Sequence, residues 1–459
     1  MPNKQPPTIF RPMTTQVLHD VTDARARAAE ICADLRSGEL LDHSFEKRTT
    51  GLEPRDRRWT RELVYGLLRV RSRLDAIIGD RVTGGPSRLD NDVLDLLRQG
   101  VYQLLYMRSV PAYAAIAQTV ELVKRRHGIG ASKLANAVLR RIDRERDGLQ
   151  VAKPRDPVSA LALEFSHPEW IVGRWLARFG EEETRALLAA NNLEAPLIAR
   201  PYHIVREQLE AMLESAGIET ADAPLLPDSV VLTDGVRSLT ELGAFRQGLF
   251  HLQDPASTLV TRYAAFAPGS VVADMCAAPG GKAIELARTA ALVIASDLSR
   301  NRMKRILENI TRLEATNIVP LVADASAPPL RDVDAVLVDA PCTGTGTFRR
   351  HPDARWRLKA SDLAVMPAIQ RAILREAATS VRRGGLLVYS TCSLELEEND
   401  EQAARFLSDH PGWTLEPPPE GTVPPATLDH GFLRVLPQTH GADGAFAARF
   451  RRPLDDLAA

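Results

Sequence analysis

The chain has 459 residues, 44% of them apolar, which is enough to bury sizeable cores in two to four domains. Its 58 basic and 59 acidic side chains nearly cancel, which excludes a uniformly basic nucleic-acid coat, and no apolar run approaches the ~18 residues of a membrane span. The first 16 residues are polar and Pro-rich, so no secretory signal is expected, and Cys32, Cys276, Cys342 and Cys392 form no CxxC pair, which argues for free thiols in a reducing, cytoplasmic setting.

Residues 17–146 are helical in periodicity. Leu94, Leu97, Val101, Leu104 and Leu105 follow the i, i+3, i+4, i+7 rule, as do Ile116, Val120 and Val123. Gly51, Gly84-Gly85-Pro86, Pro111, Gly128 and Gly130 punctuate the pattern, so a bundle of several short-looped helices is expected. Residues 1–150 carry 26 basic against 19 acidic side chains, and the remainder 32 against 40. Arg55, Arg57, Arg58, Arg61, Arg69, Arg71, Arg73, Lys124-Arg125-Arg126 and Arg140-Arg141 cluster in the basic part, where guanidinium groups suit phosphate contacts. Pro154 and Pro157 mark 148–166 as a linker. A helix at 169–192, a strand within 196–205, a helix near 206–216 and strands within 229–250 then read as a small α+β module.

From residue 268 short apolar runs alternate with helices, the pattern of a parallel sheet covered on both faces. Strands are expected at 271–275, 292–296, 318–323, 333–339 and 385–391, with helices at 281–290, 299–314, 361–382 and 395–408. Two more strands are expected near 431–436 and 445–450, after a Pro-rich loop at 417–425.

Ligands of such a sheet bind beyond the carboxyl ends of its strands. The first strand runs into Cys276-Ala277-Ala278-Pro279-Gly280-Gly281-Lys282, which is neither GxGxxG nor a Walker A, so a pyrophosphate cofactor loses support. The next three strands lead to Asp297, Asp324 and Asp339. Any one of these carboxylates would serve as a helix cap or turn, but three in succession match a cationic, nucleoside-bearing ligand such as S-adenosylmethionine. Cys342 lies just past the fourth strand and Cys392 just past the fifth, so both thiols could converge on one pocket. Cys392 precedes an expected helix whose amides would favour thiolate, although Glu395, Glu397 and Glu398 oppose this. A thiolate adding to C6 of cytosine makes C5 nucleophilic, and a nearby acid and a base complete that chemistry.

The motifs CAAPGGK, DAPCTGTG and STCS, in that order, resemble the Sun/Fmu family of RNA cytosine-5 methyltransferases. LANAVLRRI (134–142) is similar to the NusB RNA-binding fold, and SHPEW (166–170) and GLFHLQDPAS (248–257) extend the likeness over nearly the whole chain. The resemblance implies a multidomain protein: an all-α NusB-like domain at 14–147, a pre-catalytic α+β module at 160–250, and an α/β Rossmann-like methyltransferase domain at 251–455. It implies S-adenosylmethionine held by Cys276 to Lys282, Asp297, Arg302, Asp324 and Asp339, with Asp339 also at the methyl-transfer site. It implies Cys392 as nucleophile and Cys342 as the thiol that assists product release. DNA enzymes instead use a Pro-Cys nucleophile, but they usually follow it with Gln where this chain has Thr343.

Two departures stand out. The family often reads Arg-x-Asn where this chain has Arg200-Pro201-Tyr202, and its GFFxA pattern is here Gly444-Ala-Phe-Ala-Ala448, which is expected to loosen an edge of the sheet without touching the chemistry. The implied partner is 16S ribosomal RNA, for a cytoplasmic monomer with neither metal nor membrane. The alternatives are the same chemistry on tRNA or 23S rRNA, and a non-enzymatic NusB-like RNA-binding or antitermination factor; the intact thiols and carboxylates argue against the latter.

Overall fold

The computed structural model describes residues 21–455 apart from residue 237. The polar first 16 residues and the expected start of the first domain at residue 14 lie outside the described residues. The chain forms two compact units, one ending at Val172 and the other beginning at Gly173, a division that falls inside the helix Glu169–Asn192.

The first unit is helical: Asp23–Arg36, Leu41–Thr49, Pro54–Arg69, Arg71–Gly79, Asn91–Tyr106 and Ala112–Glu145. Gly128 breaks the last of these, because its φ of 79° is closed to most side chains but open to glycine. Helix Pro54–Arg69 buries Leu63, Val64 and Leu67 and leaves Arg55, Arg58 and Arg61 exposed. Arg57 is instead paired with Glu46, and Arg125 with Glu121. The expected linker at 148–166 contains a helix, Pro157–Phe165. Pro157 occupies its first turn, where proline's missing N–H costs nothing, and the Asp156 carboxylate caps the Ser159 amide at 2.8 Å.

In the second unit β1 (Leu197–Pro201), β2 (Glu219–Asp222), β3 (Val230–Asp234) and β4 (Phe250–Leu252) form an antiparallel sheet in the order β2-β3-β1-β4. Helix Arg206–Ser215 covers it through Leu209 and Leu213, which pack with Ala199 and Phe250.

The larger sheet contains β5 (Val271–Met275), β6 (Leu292–Asp297), β7 (Ile318–Val322), β8 (Val333–Asp339), β9 (Val381–Thr391), β10 (Thr414–Leu415), β11 (Leu428–Asp429), β12 (Phe432–Val435) and β13 (Ala445–Arg451). Its order is β11-β12-β13-β9-β8-β5-β6-β7, with β10 beside β13. The five strands from β9 to β7 are parallel, and the C-terminal strands extend them antiparallel. Alternate residues of β8 explain its uninterrupted apolar run. Ala335 and Leu337 face Tyr263, Ile284 and Ile306, while Val336 and Val338 face Ile373, Ala377 and Phe406 on the other side.

One expectation is overturned here. The Gly444–Ala448 segment does not loosen an edge, because β13 pairs with β12 on one side and β9 on the other. It also touches the loop that carries Cys392: the Gly444 amide donates to the Gly346 carbonyl at 2.8 Å, and the Gly346 amide to the Cys392 carbonyl at 3.0 Å. Among the described residues, no helix is long and apolar enough to cross a membrane.

Candidate active site

β5 lies between β6 and β8 at the point where successive connections reverse direction, and the crevice beyond its carboxyl end is where an open sheet of this kind takes its ligand. The chain leaves β5 through Cys276, whose φ of 66° is left-handed, and Gly280, at 104°. A Cβ on Gly281 would meet Gln253 Nε2 at 3.0 Å, so the second glycine lets the loop approach the small sheet. Burial, with the neighbouring carboxylates, pushes the Cys276 thiol up to about 12, which makes it an inert wall of the loop.

Asp297 ends β6 and points back at this loop. One oxygen accepts from the Ser299 amide at 2.8 Å, the other from the Ala278 amide at 3.3 Å, with the Arg302 guanidinium 3.5 Å away. Arg302 also donates to the Ala278 carbonyl at 2.6 Å, so it braces the loop from outside. Asp324 stands apart. It lies two residues beyond β7, is exposed, and accepts from the Ser326 amide and hydroxyl at 2.8 and 2.7 Å, which hold it below the usual carboxylate range.

Asp339 ends β8. Its two oxygens accept from Lys282 Nζ at 2.7 Å and Ser390 Oγ at 2.9 Å, so the loop after β5 and the end of β9 meet on one carboxylate. Burial alone would lower the Lys282 ammonium, but Asp339 overrides it and the net shift is upward. Beside them lies Asp274, fully buried on β5, with neither carboxyl oxygen partnered among the described residues. Burial, then Asp339, pushes it up to about 8. Asp297 and Asp339 at the strand ends, with this orphan carboxyl behind them, give the site a negative field that fits a cationic ligand. Asp274 escaped the sequence reading because a lone Asp inside an apolar strand signals nothing by spacing.

The two strand-end thiols come together: Cys342 Sγ and Cys392 Sγ are 3.3 Å apart, and both are partly accessible. The hydrogen bond from Cys342 lowers Cys392 below an ordinary thiol despite burial and Asp339, and Lys282 and His351 act in the same direction. The same contact, with burial, raises Cys342 well above the ordinary range. The expected helix directly after Cys392 is absent; a short turn spans Leu396–Glu398 and the α-helix begins at Asp400. No helix dipole therefore acts on the thiol, and the neighbouring acids are engaged elsewhere. Arg174 binds Glu395 at 2.9 Å and Glu397 at 2.8 Å, and Glu398 turns inward.

A cavity of about 390 Å³ opens on Lys282, Asp339 and Cys392 and reaches Pro196–Ile198 of the small sheet. One wall is a buried cage. Arg349 and Arg350 each donate to Asp254 at 2.9 Å and to Asp443 at 2.7 and 2.8 Å. The RRHPD segment (349–353) was the available signal for this wall, since two arginines and a histidine follow the Cys342 loop directly. Arg200, where the sequence departs from the family pattern, is internal; it is buried against Glu285 at 3.2 Å. Among the described residues no cluster of His, Cys, Asp or Glu has the makings of a metal site.

Comparison with known proteins matches each part of this architecture. Residues 264–451 match the family model for the 16S rRNA methyltransferase RsmB/F, residues 11–144 the NusB family, and residues 167–238 the ferredoxin-like domain of RsmF/B-like methyltransferases. A Bacillus subtilis protein named "Probable ribosomal RNA small subunit methyltransferase B" is 35% identical over 94% of this chain and 99% of its own length. Vibrio cholerae ribosomal RNA small subunit methyltransferase B is 35% identical over 85% of this chain and 90% of its own. Among solved structures, PH0851 superposes with a TM-score of 0.79 at 26% identity, covering 94% of this chain and 99% of that one.

Proposed function

Since this chain belongs to the RsmB/F family of 16S rRNA methyltransferases, we propose that it methylates C5 of a cytosine in 16S ribosomal RNA, using S-adenosylmethionine and a covalent Cys392–C6 intermediate. The observation that carries this reading is the pair of thiols 3.3 Å apart, one lowered and one raised, of which the lowered Cys392 lines the cavity together with Lys282 and Asp339.

S-adenosylmethionine supplies an electrophilic methyl on a sulfonium when bound. Asp297 would hold the ribose hydroxyls, since a carboxylate only accepts hydrogen bonds, and Asp339, which lines the cavity, would face the cationic end. Cys276 to Lys282 form the floor, with Arg302 bracing it, and Asp324 is assigned to the adenine side.

Cys392 attacks C6 as thiolate. Negative charge then develops toward N3 of the ring, where the Lys282–Asp339 pair can hold a proton. The addition gives C5 the electron density it needs to accept a methyl group. Release requires transfer of the C5 proton to water or a neighbouring base, so that the C5–H electron pair restores the C5–C6 double bond and the S–C6 pair leaves with Cys392 as thiolate. Cys342, in contact with the departing sulfur, assists that step.

The same proposal assigns residues 14–147 to RNA binding, 160–250 to a pre-catalytic module and 251–455 to catalysis, in a cytoplasmic monomer. Bisulfite sequencing of ribosomal RNA from a strain lacking the gene tests the substrate directly. One unmethylated cytosine in 16S rRNA, restored by the wild-type gene, is the expected result. An unchanged 16S map with a lost mark in tRNA or 23S rRNA would assign the chemistry elsewhere.

A further inference from the structure

Glu398 is buried completely and takes no part in the chemistry proposed above. Its carboxylate nevertheless joins the two loops that carry the thiols. Thr343, the residue after Cys342, donates its amide to Glu398 at 2.9 Å and its hydroxyl as well. Ser393, the residue after Cys392, donates its hydroxyl at 2.6 Å. Gln370, from the helix Asp362–Ser380, donates at 2.8 Å and also holds the Pro341 carbonyl at 3.0 Å. The glutamate backbone is fixed too, since the Tyr389 hydroxyl donates to its carbonyl at 2.6 Å. A buried carboxylate accepting four donors is held in one place, and it holds their chains in turn.

We propose that Glu398 is the positioning residue that sets the two thiols face to face and decides which of them serves as nucleophile. The geometry gives it both roles. Its two oxygens grip the residues that follow each cysteine, so the loops cannot separate without breaking charge-assisted hydrogen bonds in the interior. Its carboxylate acts to raise Cys342, whereas the Lys282 cation acts to lower Cys392 against the opposing carboxylate of Asp339. Asp339 is already paired with Lys282 at 2.7 Å, whereas Glu398 binds the residue after Cys342 through both its amide and its hydroxyl, so the shared proton is favoured on Cys342. Cys342 therefore keeps the proton and donates it toward Cys392. The identity of the nucleophile rests on the reading of Cys392 given above, while the clamp and its polarity do not.

The test is alkylation of the full-length protein by iodoacetamide at about pH 7.5, with modification at Cys342 and Cys392 followed by peptide mass spectrometry. Glu398→Gln retains the shape. The Thr343 and Ser393 hydroxyls can turn to accept from the new amide, so charge is removed while most contacts remain. Wild type should alkylate Cys392 faster, and Glu398→Gln should lower the Cys392-to-Cys342 ratio by at least about fivefold through faster reaction at Cys342. A purely structural role would speed both thiols together and leave the ratio alone, so an unchanged ratio in a folded Glu398→Gln protein overturns the proposal. If that variant does not fold, Thr343→Val and Ser393→Ala each remove one grip, and an unchanged ratio in both overturns it equally. Faster alkylation of Cys342 in wild type, still shifted by Glu398→Gln, would instead overturn the choice of nucleophile and leave the clamp standing.

Discussion

Gly346 and Gly444 touch backbone to backbone: a Cβ on either would lie 2.7 Å from the other's Cα. Gly346 also faces the Cys392 carbonyl, which its Cβ would meet at 2.8 Å. The strand-leading segment before β13 thus sets the height of the loop that holds Cys392. Both obstructing groups are backbone, so neither can swing aside. Gly346→Ala should cost about 1–3 kcal/mol of stability in denaturant titration and reduce methylation at least about tenfold, because the Cys392 loop must move. Gly130→Ala, at a helical site where nothing lies within 4 Å, should leave activity unchanged. Wild-type activity in Gly346→Ala would show that the close approach carries no catalytic consequence.

The thiols should separate in one denaturing gel. Cys392→Ala should abolish methylation and form no adduct with RNA, because entry to the covalent path is closed. Cys342→Ala should permit addition and methyl transfer but stall release, so a protein–RNA complex should accumulate in the presence of the methyl donor. An adduct from Cys392→Ala and none from Cys342→Ala would reverse the two roles.

The pH dependence follows from the direction of the Cys392 shift. Thiolate is the reactive form, so the acid limb of kcat/KM should rise with pH and level off at lower pH than for an ordinary thiol. Lys282 is one of the cations that lower Cys392, so Lys282→Met should move that limb to higher pH as well as reduce the rate. A limb that stays in place while the rate drops would confine Lys282 to the Asp339 pair.

Arg55, Arg58 and Arg61 project from one helix into solvent, and their spacing of three residues keeps them on neighbouring faces of it. Changing all three to Gln should weaken RNA binding across unrelated sequences and flatten the salt dependence by about 0.7–0.9 for each phosphate no longer neutralised. An unchanged slope of log K against log salt would make this face an ordinary solvated surface.

Much of the fold was legible because apolar period and punctuation are local properties. Val271–Met275 and Val333–Asp339 form over the predicted residues, and the Gly128 break falls where a glycine interrupts the helical pattern. Pro157 was misleading for a local reason as well, since proline ends a helix from within but begins one from its first turn. The placement of Asp297, Asp339, Cys342 and Cys392 beyond strand ends could be anticipated, since parallel strands deliver their carboxyl ends to one side.

Tertiary structure alone decided the rest. No spacing announces that Glu398 would turn inward to bind Thr343 and Ser393, or that Glu395 and Glu397 would be taken up by Arg174. In sequence the three acids look equivalent, as charges opposing a thiolate. Folding makes them different, because electrostatic effect depends on distance, burial and partner rather than on position in the chain. The orphan carboxyl of Asp274 and the interior pairing of β13 belong to the same class. Sequence determined which residues reach the end of the sheet, through periodicity read along the chain. Only packing determined which of them touch, because those contacts join segments far apart in the chain, 221 residues in the case of Arg174 and Glu395.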